Sequence, residues 1–444
     1  MSEISLQKDS YLSAYSRLET GRESDGGGWL RGLREEAIAR FSDLGFPTIR
    51  HEEWRHTSVA PIARIPFEPL REQPAARVTA EQLSRFVSGV GDVCRLVVVN
   101  GRVDADLSAL SSLPEGIQVL SLSEAIRDHA ELVEPHLARH AGQNGQPFAA
   151  LNTAFLEDGA FLRVPEGMVV ENPIFFLFIT AGDEVPTVSY PRLLVVAESG
   201  SQVRIVEGYL GVRDGAYFTN AVTEIVVGEN AVVDRYKLQE ESLDAFHLAA
   251  THVTQARNSV FSSHSISLGG SIVRNDLGSV LDGEGIDCNF RGLYLAQGNQ
   301  HVDNHTSIDH ARPHSQSREL YKGILTDEAR GVFNGRVLVR KDAQKTDARQ
   351  TNKNLLLSGK CLINTKPELE IYANDVKCAH GATIGQIQEE AIFYLRSRGI
   401  GEDEARNILT YAFANEVLDG IQIDAIRERL EAHLMTRFRK GLAS

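Results

Sequence analysis

The sequence predicts a mainly β protein whose strand-rich body begins near residue 160 and lies between two helical regions. Turns rich in small and polar residues recur in this body roughly every 27–30 residues, at 199–203, 228–232, 257–260 and 283–286. Apolar and polar residues alternate after these turns, which is the pattern of strands with one buried face. A repeat of this length predicts stacked coils. The pattern favours a β-helix and leaves a large β-sandwich as the alternative.

Helical periodicity is found on both sides of this body. Before it, we expect helices at 10–18 and 29–41, separated by a flexible glycine-rich hinge at 25–28, and a third helix at about 122–140. The run 96–103 predicts a strand that enters an Asn-Gly hairpin turn. After the body, the sequence predicts helices at 389–399, from 402 onwards, and at about 424–440.

Composition and charge narrow the class of protein. The chain has 444 residues and a net charge of −14, which argues against a broad nucleic-acid or membrane surface because both need clustered Lys and Arg. No apolar run is long enough to cross a bilayer as a helix. The first residues resemble neither a secretory signal nor a transit peptide. We therefore expect a cytoplasmic protein.

The four cysteines are scattered, and no two of them form a Cys-x-x-Cys pair. In a reducing compartment they are expected to be free thiols, and most of them small buried core residues. They are Cys94, Cys288, Cys361 and Cys378.

Two polar segments contain residue types that are common in metal or phosphate sites, but their spacing does not match the known signatures of such sites. The first holds His301, His305, His310 and His314, whose spacing matches no zinc signature, so polar rungs along a solenoid face are the favoured interpretation. The second, 358–361, has the Gly-Lys of a phosphate-binding loop. It lacks the upstream glycine and has cysteine in place of the magnesium-binding hydroxyl, so we reject a phosphate site there.

A third segment contains the strongest candidates for metal chemistry. Cys378 and His380 are two residues apart, so their side chains point to the same face of a strand. Thiolate and imidazole suit iron or an iron–sulfur cluster, and Lys377 could favour the thiolate. Two ligands do not close a site, so others would have to come from a partner or from small molecules. A packed thiol and a hydrogen-bonded histidine remain the alternative.

Longer segments resemble a known family. The central one, 367–385, reads Pro-Glu-Leu-Glu-Ile-Tyr-Ala-Asn-Asp-Val-Lys-Cys-Ala-His-Gly-Ala-Thr-Ile-Gly. Further blocks of likeness, in the family's order, are 52–57, 151–155, 315–324, 351–357 and 393–400. Together they resemble the SufB/SufD family of iron–sulfur cluster assembly scaffolds. The Trp-Arg-His-Thr head at 54–57, and His380 where SufB chains usually carry glutamate, place the resemblance on the SufD side.

The resemblance implies a fold and a set of partners. The core would be a right-handed parallel β-helix at 156–385, between an N-terminal helical or mixed domain at 1–155 and a C-terminal helical domain at 386–444. Family members pair with SufB through the β-helix and bind the ATPase SufC through the C-terminal helical region. A cysteine desulfurase supplies the sulfur to the complex indirectly. The chain itself would be a non-enzymatic scaffold, without catalytic residues or a resident cofactor.

The resemblance also assigns the candidate ligands. His380 corresponds to the family's proposed cluster ligand at the SufB–SufD interface, where it complements a cysteine of SufB, and Cys378 is the next candidate. The nascent cluster would be transient, and ATP would be bound only by SufC. Flavin binding by the complex and a homodimer of the isolated chain are left open.

Two rival functions are weighed against this one. A structural subunit could hold SufB and SufC without touching the cluster. An independent β-helix enzyme, such as a polysaccharide lyase or hydrolase, is disfavoured because aromatic residues are only 7% of the chain and would line its groove.

Overall fold

The structure is a computed structural model that describes residues 3–20, 27–69, 78–87, 89, 93–139, 146–181, 186–213 and 215–441. The expected hinge at 25–28 falls partly outside these residues, and its last two glycines begin a helix. None of the described helices is long and apolar enough to cross a membrane.

The N-terminal third is mixed, with helices and short strands. Its helices are α1 Glu3–Thr20, α2 Gly27–Leu44, α3 Ala60–Ala63, α4 Ala80–Val87, α5 Leu122–Asp128, α6 Ala130–Val133 and α7 Pro147–Ala154, with a 3₁₀ turn at Glu52–Trp54. Its strands are β1 Glu68–Pro69, β2 Arg95–Val99, β3 Arg102–Val103 and β4 Gln118–Ser121.

Two predictions for this region have different outcomes. The hairpin is confirmed: β2 and β3 pair antiparallel, and Asn100 and Gly101 both take the positive φ that such a turn requires. The single helix expected at 122–140 is wrong. His129, at φ −139° and ψ 40°, leaves the helical region and separates α5 from α6.

The body consists of parallel strands that alternate between two sheets. In chain order they are β5 Ala160–Val164, β6 Ile174–Thr180, β7 Thr187–Ser189, β8 Arg192–Ala197, β9 Gln202–Gly211, β10 Phe218–Val227, β11 Val232–Glu240, β12 Phe246–Gln255, β13 Val260–Ser267, β14 Ile272–Leu281, β15 Asp287–Ala296, β16 His301–His310, β17 Gln316–Leu325, β18 Arg330–Val339, β19 Asp347–Leu356, β20 Leu362–Ile371 and β21 Lys377–Gly385.

These strands form a parallel β-helix of about eight turns, which confirms the predicted fold class. The even-numbered strands from β8 to β20 pair in order in the first sheet, and β9 to β21 pair in order in the second. From β10 onwards, strand neighbours in the first sheet are 26–32 residues apart in sequence, as in Phe218↔Phe246 and Arg330↔Leu362. Stacked rows of side chains therefore face the interior from both sheets.

Both apolar and polar side chains face the interior along the solenoid. Ile205, Val233, Phe261 and Cys288 fill it in the earlier coils. Other buried inward-facing positions carry polar residues, among them Glu207 in the earlier coils and Glu319 and Gln350 in the later ones.

The helical regions cover the outer faces of the two sheets. N-terminal aromatic residues such as Phe148 pack on Phe218, Phe246 and Ile272 of the first sheet. After the body come α8 Glu389–Ser397, α9 Glu402–Leu418 and α10 Asp424–Gly441. Apolar residues from α9 onward, among them Leu418 and Leu430, belong to the cluster of buried residues on the second sheet.

Candidate metal-ligand site

The candidate ligands lie on the last strand of the solenoid. Among the described strands, β21 pairs only with β19, and β20 pairs only with β18. The outer edges of both strands are therefore unpaired, and no further coil covers the last one. Every residue of β21 except Cys378 is exposed.

Cys378 is the more enclosed of the two candidates. It is paired in register with Ala348, and its side chain is half-buried beside the apolar cluster that contains Val337, Val339 and Ala373. Burial raises the pKa of the thiol. Lys377 is not among the groups that shift this pKa, so its expected effect on the thiolate stays a prediction.

His380 is exposed on the same face of β21, next to Gln350 of β19. None of the residues that the structure describes forms a hydrogen bond or an ion pair with its side chain. The structure therefore leaves this imidazole available at the open end, where a ligand from outside the chain could approach it.

The chain does not supply a complete metal site at this position. Nowhere in the described parts of the chain do three His, Cys, Asp or Glu residues gather as they would around a metal ion. For His380 to bind a metal ion or cluster, the remaining ligands would have to come from elsewhere.

The histidine-rich segment has another role. His301 and His305 lie on the outer face of β16, where the N-terminal residues 52–57, here called the strap, cross the sheet. Thr57 Oγ1 donates to Asp303 Oδ2 at 2.6 Å, and His305 Nε2 lies 3.0 Å from Asp303 Oδ1. Glu53 contacts the other nitrogen of His305 at 3.3 Å. These histidines therefore dock the strap and do not surround a metal.

The remaining segments of interest are structural. His310 points inward and bonds to Ser317, and His314 lies in a turn with positive φ. Residues 358–361 form the turn between β19 and β20, where Lys360 pairs with Glu328 at 2.8 Å. Cys94 and Cys288 are buried, and burial raises the pKa of both thiols.

Sequence reasoning missed the polar residues that face the interior. Glu207 accepts from Arg235 at 2.6 Å inside the solenoid, and Glu319 accepts from Gln350 at 2.8 Å nearer the open end. The alternation of β17, in which Ser317, Glu319 and Tyr321 share a face, was the available signal. It was hidden because the buried face of that strand is not apolar.

Both the N-terminal region and the solenoid of this chain are similar to known protein families. Residues 178–413 match the family model described as SUF system FeS cluster assembly, SufBD core domain, and residues 5–176 match that of the SufBD protein N-terminal region. The chain belongs to the SufBD family. This assigns the open-ended solenoid to a family whose described role is iron–sulfur cluster assembly by the SUF system.

Individual relatives agree over nearly the whole chain. An iron–sulfur cluster assembly SufBD family protein of Synechocystis is 36% identical over 405 residues, covering 89% of this chain and 88% of that protein. The SufD protein of Escherichia coli is 32% identical over 92% of this chain and 93% of its own length. The SufD protein of Bacillus subtilis is 27% identical over 90% of this chain and 92% of its own length. The SufD-type resemblance is thus confirmed.

Proposed function

We propose that this SufBD-family chain is a non-enzymatic scaffold subunit that pairs with SufB, binds SufC and contributes His380 to a nascent cluster between the two scaffold chains. Its work would be done in the cytoplasm. Sulfur would arrive from a cysteine desulfurase, and ATP would act only through SufC.

The uncovered last coil is the observation that carries this proposal. Unpaired strand edges invite pairing with another chain, and natural proteins normally cover or shield them. Here β20 and β21 are ten and nine residues long, and the exposed His380 lies in the middle of β21. A second scaffold chain bound to this end would place its own ligands beside His380. These ligands would complete the metal site that the isolated chain lacks.

The C-terminal helices support the proposed docking of SufC. Phe393 and Tyr394 of α8 are 74% and 58% exposed, which is unusual for adjacent aromatic residues on a folded surface. Only three residues separate the end of β21 from the start of α8. A partner that binds α8 would therefore act close to the strand that carries His380.

The first test is co-expression with SufB and SufC followed by size-exclusion chromatography. We expect a mixed complex in which this chain, SufB and SufC elute together, because the open coil and α8 each provide a surface for one partner. The chain run alone reports any homodimer, and the visible spectrum of the complex reports a bound flavin. Recovery of only separate chains would contradict the proposal.

The second test concerns His380 as a ligand. In His380→Ala we expect the complex to assemble normally but anaerobic cluster reconstitution to fall at least tenfold, since an exposed imidazole contributes ligation and not packing. His314→Asn removes an exposed histidine from a turn and serves as the matched control.

A purely structural subunit is the second candidate function. The half-burial of Cys378 against an apolar cluster favours it, because this leaves His380 as the one exposed ligand type on the described β21. Reconstitution at the wild-type level in His380→Ala, with the complex intact, would decide for that function.

A further inference from the structure

One buried carboxylate of this protein lacks a charged partner. Of the buried Asp and Glu residues in the described chain, four face a basic side chain. The pairs are Glu207–Arg235, Glu224–Arg192, Glu241–His247 and Asp303–Arg274. Glu319 is 4% exposed and has no described ion pair. This separates Glu319 from the other interior carboxylates.

Three buried side-chain oxygens at Glu319, Gln350 and Thr306 lack a well-formed hydrogen bond. Gln350 Nε2 donates to Glu319 Oε2 at 2.8 Å, whereas Glu319 Oε1 makes no hydrogen bond. Gln350 Oε1 and Thr306 Oγ1 are likewise buried without a hydrogen bond. The Thr306 hydroxyl lies near the carboxyl without the geometry of a full hydrogen bond, and its hydrogen-bonding interaction with the carboxyl lowers the pKa of Glu319.

A glycine helps to shape this cluster. Gly335 is the register neighbour of Thr306, and a Cβ atom at Gly335 would lie 2.3 Å from Gln350 Nε2. The missing side chain gives Gln350 the space to lie against the carboxyl of Glu319. The three oxygen-bearing side chains are therefore brought together by packing.

An ionised Glu319 without a positive partner would destabilise the folded protein. Removing an ionised group from water without a compensating charge costs several kcal/mol, so such groups attract a counterion or are neutralised by a proton. Burial raises the pKa of Glu319 to about 7, with Thr306 and Gln350 acting in the opposite direction. Near neutral pH the carboxyl is therefore easily ionised once a positive charge is close.

We propose that Glu319, Gln350 and Thr306 form an oxygen-lined binding site for one small cation inside the solenoid. Carboxylate, amide and hydroxyl oxygens are ligands for hard cations, so the class is Na⁺, K⁺, Mg²⁺ or Mn²⁺. Water would complete the coordination. No thiol or imidazole belongs to the set, which distinguishes this site from the one at His380.

The position of the cluster provides a route for the cation. His380, Gln350 and Glu319 occupy one inward-facing row on three successive strands of the second sheet. Because neighbouring strands are about 4.8 Å apart, Glu319 lies roughly 10 Å beneath His380. The uncovered last coil is the near end of the solenoid, so a cation would enter there. The site does not depend on the proposed cluster ligation.

Thermal unfolding of the full chain tests the proposal. The protein is held at pH 8 in tetramethylammonium chloride, which is too large to enter, and NaCl, KCl, MgCl₂ or MnCl₂ replaces it at constant ionic strength. At about 100 times Kd, we expect the bound cation to raise the Tm of the wild type by about 2–4 °C. The monovalent and divalent salts distinguish the two charge types.

Three variants make the result specific. Glu319→Gln keeps the size of the side chain and should abolish the shift, whereas Glu284→Gln, in an exposed turn, should retain it. Thr306→Val removes one oxygen and should weaken binding several-fold, which keeps the test valid if Glu319→Gln misfolds. A wild type that shows no cation-dependent shift, or a Glu319→Gln variant that shifts as much as the wild type, would overturn the proposal.

Discussion

At the residue scale, this protein buries charge mainly where an opposite charge is at hand. The clearest example is the group of buried ion pairs that holds the strap. Burial raises the pKa of Asp303, but the charges of His305 and Arg274 outweigh it and hold that pKa well below its usual range. Arg274 also lies 3.8 Å from the ring centroid of Trp54, so a cation–π contact adds to the ion pairs. The strap is thereby fixed to coils near the open end.

The protonation of His305 makes this attachment depend on pH. Burial lowers the pKa of His305, but Asp303 outweighs it and raises the pKa to about 9. A raised folded-state pKa stabilises the protein fully below the unfolded-state value of about 6.5, and this stabilisation is lost as the pH rises through 9. We expect the urea midpoint of the wild type to fall over this window, by an amount equivalent to at most about 3 kcal/mol.

His305→Gln is the variant for this measurement. It should have a lower urea midpoint at pH 6.5 and a flatter profile up to pH 9.5, because it carries no proton to lose. His314→Asn, in an exposed turn, should follow the wild type. Equal slopes in the wild type and His305→Gln would show that His305 does not carry the pH dependence.

At the element scale, the turns explain how much of the fold could be predicted from the sequence. Gly200, Asn230, Asn258 and Gly285 all have positive φ, and they stack through bonds such as Asn230 N to Arg257 O at 2.9 Å. Gly and Asn adopt this conformation most readily, so these turns can be predicted from the sequence.

Later turns are harder to predict from the sequence because other residue types adopt the same positive-φ conformation there. His314 and Lys345 have φ of 62° and 61°, although neither residue type indicates a turn. Several buried positions of the later strands are also polar, such as Glu319 and Gln350, so the apolar alternation is weaker there. The turn conformations and the polar buried positions both depend on how the coils stack. A local sequence pattern does not specify that stacking.

The candidate ligand strand shows the same limit. Spacing was sufficient to predict that Cys378 and His380 share a face of one strand. It did not indicate that one would be half-buried and the other exposed, since this depends on the absence of a further coil. The cluster around Glu319 was equally hidden, because its members come from β16, β17 and β19 and meet only when the coils stack.

At the scale of the whole molecule, two routes connect the C-terminal helices with the open end. One is the short link from β21 to α8. The other is the packing of α9 on the second sheet, where Lys322 donates to the Phe413 carbonyl at 2.7 Å, forms an ion pair with Glu416 and lies 4.4 Å from the ring centroid of Phe413. Arg429 of α10 pairs with Glu240 through both carboxylate oxygens, at 2.7 and 2.9 Å. These contacts join the helices to several coils at once.

The contribution of the packed route can be measured in the proposed complex. Lys322→Met keeps an unbranched apolar side chain at this position but removes the charge and the donated hydrogen bond, so the polar attachment of α9 to β17 should be weakened while its apolar packing remains. If SufC acts on the open end through α9, adding ATP to the wild-type complex should change the hydrogen-exchange rate of β21. In the Lys322→Met complex, this change should be at most half as large. Assembly and ATP hydrolysis should be unchanged. Lys360→Met, which breaks an exposed ion pair, is the control. A full response in Lys322→Met would instead assign the coupling to the direct link between β21 and α8.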